Sequence, residues 1–119
     1  LTMWLYANGY IPFVSIAEHP IYFVVLMCSV TLIRDVHYYT VHRISHWGPI
    51  YRWVHYLHHN NVNVGPFSGL AMHPVEQLWY WSGAIIHWVI PSHPIHVLFH
   101  LQHAALTPAP SHSGFERVV

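Results

Sequence analysis

Charged side chains are scarce in this sequence. Of its 119 residues only four are basic, all of them arginine, and four are acidic, so charged residues make up 7% of the chain. A soluble domain usually carries about a quarter charged residues, and a chain this poor in charge would struggle to present a soluble surface. The net charge of zero and the lack of lysine also exclude the basic surface that nucleic-acid binding requires. We therefore expect a membrane protein without a nucleic-acid partner.

Cysteine is equally scarce, because Cys28 is the only one. A single cysteine excludes a disulfide-stabilised scaffold, and a chain that is 54% hydrophobic and 16% aromatic is not a disordered one. No positively charged segment with a small-residue cleavage site opens the sequence, so we expect no secretory signal. The length allows one domain at most. Because the chain has neither a first methionine nor a polar tail, we expect a piece of a longer protein.

Uncharged stretches predict where the helices lie. Residues 21–33 are apolar except for Ser29 and Thr31, but this run is shorter than the roughly 20 residues that a bilayer crossing needs. A helix over residues 21–46 would be about 39 Å long, with its first half in lipid and its second half projecting toward water. Pro20 suits the first turn of this helix, and Gly48 with Pro49 would stop it.

A second helical unit is predicted after a loop within residues 53–75. Residues 77–115 carry no charge, but Pro91 and Pro94 argue against one unbroken helix. We predict helices over residues 75–90 and 95–106 that form a hairpin, with its turn inside the bilayer or at its far face. The predicted fold class is therefore all-α, an integral membrane helical bundle. The alternative is a buried pair of core helices in a soluble protein, which the low charge disfavours.

Histidine is abundant, with 14 in the chain, and five of these residues form two clusters at helical spacing. His42 and His46 are four residues apart. His55, His58 and His59 begin nine residues after His46, so each cluster can present its rings on one side of a helix. Imidazole is the commonest protein metal ligand, and a single zinc ion takes about four ligands. Five converging imidazoles therefore favour a site for two metal ions.

The remaining residues near the clusters divide by position. His37 lies well off the face shared by His42 and His46, so we predict that it is not a ligand. Tyr39 is one turn before His42 and is placed to orient the His42 ring without binding the metal itself. Asp35, one turn earlier, would either have the same role or be an interfacial charge. Four other histidines are expected to be hydrogen-bonded core or interface residues: His19, His87, His93 and His96. The run Trp79-Tyr80-Trp81 is interpreted as an interfacial belt in preference to the lining of a lipid pocket.

These residues combine into motifs that resemble a known family. The motifs are Asp35-x-x-x-Tyr39-x-x-His42-Arg43-x-x-His46, His55-x-x-His58-His59, His73-Pro74-x-Glu76 and His112-Ser113-Gly114-Phe115-Glu116. Together they resemble the fatty acid hydroxylase and sterol desaturase superfamily over about residues 35–117. Members of that superfamily are integral membrane, non-haem di-iron oxygenases built as helical bundles.

The resemblance implies two iron ions and a set of ligands for them. The implied ligands are His42, His46, His55, His58, His59 and His112, with His73 as a further candidate and with Tyr39 and Asp35 behind them. The irons would activate O2 to hydroxylate or desaturate a C–H bond of a lipid or sterol. Electrons would come from a b-type cytochrome, or from a ferredoxin with its reductase. The metal site would face the cytosol, at a bacterial inner membrane or the endoplasmic reticulum.

One feature of the superfamily is missing from the sequence. Its members have a third box, another HxxHH, downstream of the HSG motif, and residues 1–119 contain none there. We therefore expect a partial domain with an incomplete site, and we expect that this fragment alone does not turn over.

Two functions of other classes stay open on the sequence. A membrane electron-transfer protein would hold haem between single histidines deep in two helices, and His87 and His100 are the best candidates for that arrangement. A divalent metal transporter would place imidazoles along a pore.

Overall fold

The computed structural model describes residues 1–60, 65 and 68–108, and these residues are helical with short connections. The α-helices are α1 Thr2–Ala7, α2 Pro20–Ser45, α3 Gly48–Ile50, α4 Tyr56–His59, α5 Pro74–Trp81 and α6 Pro94–Leu106. A π-helical turn, Tyr51–His55, joins α3 to α4, and 3-10 helices cover Ser68–Leu70 and Ser82–Trp88. Within the described ranges no strand forms, and one isolated bridge pairs Phe13 with Ser92. The all-α prediction is confirmed.

Helix α2 organises the molecule. It begins at Pro20, where the missing N–H costs nothing, and ends one residue short of the predicted His46. Its 26 residues span about 39 Å, and it is the one described helix long and apolar enough to cross a membrane. Exposed apolar side chains such as Val24, Val25 and Leu32 cover its outer side. Its other side packs on α5, α6 and the Ser82–Trp88 helix.

The predicted helical hairpin forms, but its first helix is shorter than expected. Helix α5 ends at Trp81 and tightens into the 3-10 helix Ser82–Trp88, so the prediction of one helix over residues 75–90 was wrong. The change occurs beside Gly83, whose backbone packs so closely against neighbouring rings that an added Cβ would lie 2.9 Å from His37 Nδ1. Neither α5, at about 12 Å, nor α6, at about 20 Å, reaches across a hydrocarbon layer of about 30 Å.

His93 and His96 are hydrogen-bonded, as predicted, and they fix the start of α6. The His93 side chain accepts a hydrogen bond from the Ile95 N–H, and the His93 N–H donates to His96 Nδ1, which forms a reciprocal cap. The other ring nitrogen of His96 donates to the Phe23 carbonyl oxygen at 2.9 Å, and this bond ties α6 to α2. His19, in contrast, is exposed at the N-cap of α2 and its side chain makes no capping bond.

The described core is small and strongly polar. Its fully buried apolar side chains are Val30 and Val97, joined by Leu26, Ile11 and Val14. More polar than apolar side chains are buried: Arg34, Ser45, His55, Ser68, Glu76, His87, Ser92, His96 and His100. Since buried polar groups are costly unless they are hydrogen-bonded, such a core indicates hydrogen-bond networks and functional sites inside the protein.

Candidate metal centre

The end of α2 and the two turns that follow bring both histidine clusters together. His42 lies in the last turn of α2 and His46 is its C-cap residue, after which the chain reverses through α3. The π-helical turn Tyr51–His55 then returns toward α2. A π-helical turn shifts the phase of the side chains after it and is frequent at functional sites. Here it directs His55, which is fully buried, against His46, while His59 follows one turn later.

Four imidazoles converge through their Nε2 atoms. His42 and His46 are separated by 3.2 Å at Nε2, His46 and His55 by 3.3 Å, and His55 and His59 by 2.9 Å. The ligand atoms of all four residues lie within 4.8 Å of one another. Nitrogens bound tetrahedrally to one ion at about 2.1 Å would be about 3.4 Å apart. The donor set therefore fits a transition-metal ion that favours imidazole.

Glu76 and Tyr80, one turn apart on α5, hold the outer nitrogens of two of these rings. His55 Nδ1 lies 2.6 Å from Glu76 Oε1, and His42 Nδ1 lies 3.1 Å from the Tyr80 hydroxyl. The Tyr80 hydroxyl donates to the same Glu76 oxygen at 3.3 Å, so it accepts from His42. Both histidines then carry their proton on Nδ1 and leave the Nε2 lone pair directed into the cluster. Metal-binding histidines are commonly oriented in this way.

The protonation states suit metal binding. Burial, with the neighbouring His59, His46 and His58 rings, lowers the pKa of His55 from 6.5 to about 4. At neutral pH His55 is therefore unprotonated at one nitrogen, as a metal ligand must be. Burial raises the pKa of Glu76 and that of Tyr80, so Tyr80 stays a neutral phenol that can donate its proton.

The other predicted ligands that the structure describes are not among these four histidines. The His58 ring stacks on His55 with centroids 5.5 Å apart, and it lies beside the four-histidine cluster rather than in it. His73 caps α5, where its Nδ1 accepts a hydrogen bond from the Val75 N–H at 3.2 Å. His112 lies outside the described residues. His37, predicted not to be a ligand, is paired through Nε2 with the Ser82 hydroxyl at 3.1 Å.

Tyr39 and Asp35, which were predicted to orient the ligands, do not contact them in the structure. Tyr39 is 60% exposed, and its hydroxyl accepts a hydrogen bond from Arg43, because its position on α2 points it away from α5. Asp35 is exposed and forms an ion pair with Arg34 at 2.9 Å, in line with the interfacial-charge alternative. His42 Nδ1 instead donates its hydrogen bond to the Tyr80 hydroxyl.

Glu76 and Tyr80 were not predicted as parts of the site. A signal was present in the sequence, since Glu76 is the only acidic residue between Asp35 and Glu116, and Tyr80 follows it by four residues. A lone carboxylate in an apolar segment is expensive unless it has partners. The interpretation of the 79–81 run as an interfacial belt was wrong for Tyr80, whose hydroxyl is engaged with the histidine site.

A cavity of about 200 Å³ adjoins this site. Its walls are mostly apolar and come from α2, α5, the end of α6 and residues 69–72; they include Tyr38, Leu70, Met72, Trp81 and Ala104. Tyr80 and His58 belong both to the cavity wall and to the surroundings of the histidine cluster. A bound apolar molecule would therefore lie next to the proposed ligands.

Haem between His87 and His100 does not fit the structure. His87 Nε2 and His100 Nδ1 lie 3.2 Å apart in a direct hydrogen bond, and the ring centroids are 5.3 Å apart. A haem with axial histidines needs about 2 Å on each side of the iron and a flat macrocycle between the rings. The two rings, both about 1% exposed, leave no space for it.

Sequence comparisons agree with the motifs. The family model for fatty acid hydroxylase matches residues 25–119. The chain is similar to the methylsterol monooxygenase erg25A of Aspergillus fumigatus, with 39% identity over 56 residues, which cover 45% of this chain and 18% of that protein. The chain thus spans less than a fifth of that relative's length, and no solved structure matches it. With most of its length matched by the family model, the chain belongs to the fatty acid hydroxylase family.

Proposed function

We propose that this chain is part of a membrane-bound, iron-dependent oxygenase that hydroxylates or desaturates a C–H bond of a lipid or sterol with O2. The observation that carries the proposal is the convergence of four Nε2 atoms from the two histidine boxes, with the outer nitrogens of His42 and His55 held by Tyr80 and Glu76. Family membership and the similarity to a methylsterol monooxygenase support it.

The proposed metal content is two iron ions. His42, His46, His55 and His59 fit one ion. His58 and His112 are proposed for the second, together with ligands from outside residues 1–119, so the fragment alone is not expected to turn over. When bound, iron supplies an oxidant for O2 chemistry that no side chain can provide.

The residues of the chain have separate tasks in this proposal. Glu76 accepts a hydrogen bond from His55 Nδ1, and the Tyr80 hydroxyl accepts one from His42 Nδ1, so both rings are fixed before any metal or substrate binds. Pre-organised ligands reduce the reorganisation needed on binding. The cavity beside Tyr80 and His58 would hold the apolar substrate and exclude water from the reacting carbon.

We further propose that α2 lies in a bacterial inner membrane or the endoplasmic reticulum, with the histidine end of the helix on the cytosolic side. Helix α2 has the required length and apolar surface, and its histidines follow the apolar half. A b-type cytochrome, or a ferredoxin with its reductase, would deliver the electrons from that side.

The test uses the full-length protein that contains this chain, purified with its native iron and reconstituted with a reductase. We expect about two irons per chain and an oxidised lipid product that carries an atom of ¹⁸O from labelled O2, or a new double bond. His55→Ala should lose iron and product, whereas the exposed His19→Ala should retain both. A strong Soret band would contradict the proposal. So would divalent-ion transport into liposomes without any oxidised lipid, which would favour the transporter.

A further inference from the structure

Arg34 is a buried cation in the middle of α2. It is 5% exposed, although arginine is almost never buried without partners. Its Nη1 donates to Asp35 Oδ1 at 2.9 Å, and its guanidinium lies over the Tyr38 ring, 4.8 Å from the centroid. Asp35 itself is 59% exposed at the side chain, so solvent weakens this ion pair. A charge at this depth of an apolar helix commonly marks a functional site.

Arg34 lies in the wall of the cavity beside the histidine cluster. Arg34 lines that cavity together with mostly apolar side chains. A guanidinium carries five N–H donors, and among the residues that the structure describes Asp35 is its only hydrogen-bond partner. The remaining donors are therefore available to an acceptor inside an apolar cavity. Such a cavity, with a single arginine in its wall, is suited to a lipid that bears oxygen at one end.

We propose that Arg34 binds the oxygen-bearing end of the lipid substrate and so orients it along α2 toward the histidines. The inference rests on the proposed function, because it takes the cavity as the substrate site. Arg34 precedes His42 by eight residues, about 12 Å along the helix. Anchoring the polar end at Arg34 therefore presents a carbon distant from that end to the metal site.

The size and rim of the cavity agree with this orientation. Its volume of about 200 Å³ is below the roughly 300–1,000 Å³ of sites that enclose a drug-sized ligand. It would enclose the polar end of a lipid and the adjoining part of its body. Leu70 and Trp81 line the cavity and are also exposed, so the rest of the molecule can leave over an apolar rim.

The experiment measures lipid binding on the full-length, iron-loaded protein in detergent. Tritiated palmitate is the probe, and unlabelled hexadecanol, cholesterol and hexadecane compete with it. In the wild type, lipids that bear oxygen should compete about tenfold better than hexadecane, since a charge-assisted hydrogen bond is lost with the hydrocarbon. Arg34→Gln should reduce this ratio to about twofold or less. Arg34→Lys, which keeps the charge but not the planar fork, should retain an intermediate ratio.

Arg43→Gln is the matched control, because Arg43 is an exposed arginine on the same helix that contacts Tyr39 rather than the cavity. If Arg34→Gln loses more affinity for palmitate, the bound group is a carboxylate. If it loses more affinity for cholesterol, the bound group is a sterol hydroxyl, and either result supports the proposal. If Arg34→Gln keeps the wild-type ratio, the Arg34 ion pair is purely structural. If Arg34→Gln does not fold, the same conclusion follows when Arg34→Lys and Arg43→Gln both keep the wild-type ratio. Absence of binding to the wild type would also overturn the inference. Iron content of the same sample tests the proposed function separately.

Discussion

Replacing Glu76 by glutamine tests the assembly of the histidine site most directly. Glu76 is fully buried, and its Oε1 atom receives hydrogen bonds from both His55 Nδ1 and the Tyr80 hydroxyl. Its Oε2 atom is buried and has no hydrogen-bond partner among the described residues. Glutamine has the same shape, so the change removes the charge and places an NH2 group at one of these two oxygen positions.

The magnitude follows from these contacts. If the amide oxygen takes the Oε1 position, His55 keeps a weaker neutral acceptor and the amide N–H groups have no acceptor at the Oε2 position, which costs about 1–3 kcal/mol. If the amide nitrogen takes the Oε1 position instead, its N–H groups face the donors of His55 and Tyr80. In both cases His55 is held less firmly. Loss of such an outer hydrogen bond typically lowers metal affinity by about 10- to 100-fold.

The assay is competition for iron, or for cobalt as a stable substitute, between the full-length protein and a chelator of known affinity. Glu76→Gln should raise the dissociation constant by about 10-fold or more. Glu18→Gln, at an exposed glutamate just before α2, should leave it unchanged. If the two variants bind metal equally well, within about twofold, Glu76 does not orient a ligand and our account of the site fails.

Three further outcomes are expected. Tyr80→Phe should weaken metal binding severalfold, as for a lost hydrogen bond of about 1 kcal/mol, whereas Tyr39→Phe should not; the reverse order in chelator competition would restore the sequence-based prediction. Gly83→Ala should lower the stability by about 1–3 kcal/mol in thermal unfolding, because the new Cβ would press on His37; an unchanged midpoint would refute the close contact. Burial and neighbouring histidines lower the pKa of His87 from 6.5 to about 4. The unfolded chain is thus protonated first as the pH falls between these values, and the unfolding temperature should decrease there; an equally steep decrease in His87→Gln would contradict this.

The parts of the fold that local signals determine were predictable. Helix α2 was predicted within one residue at each end, because Pro20 starts it and Gly48 with Pro49 interrupts the chain beyond it. The length of α5 was not predictable in the same way. Its change to a 3-10 helix occurs where Gly83 packs on rings from α2 and α6, and such a contact depends on tertiary structure.

For the site as well, features within one helix could be predicted and contacts between helices could not. The four-residue spacing within each histidine box is a property of one helix, so the members that converge could be proposed from the sequence. His58 and His59 were both predicted as ligands, and their different positions could not be, since the phase after the π-helical turn directs His59 into the cluster and leaves His58 beside it. Glu76 and Tyr80 reach the site from another helix, and Tyr39, one turn from His42 in sequence, points elsewhere.

The geometry of α2 explains how one helix contacts four different neighbours. A step of four residues advances about 40° beyond a full turn, so a series at this spacing winds slowly around the helix. Four positions along α2 contact different elements: the Phe23 carbonyl contacts α6, His37 contacts the 3-10 helix after α5, His42 contacts α5 and His46 contacts the π-helical turn. Arg34, Tyr38, His42 and His46 form such a four-residue series, and its first two members line the cavity. On the proposed function, a lipid in that cavity therefore lies along α2, with the histidines at one end of its path and the buried guanidinium at the other.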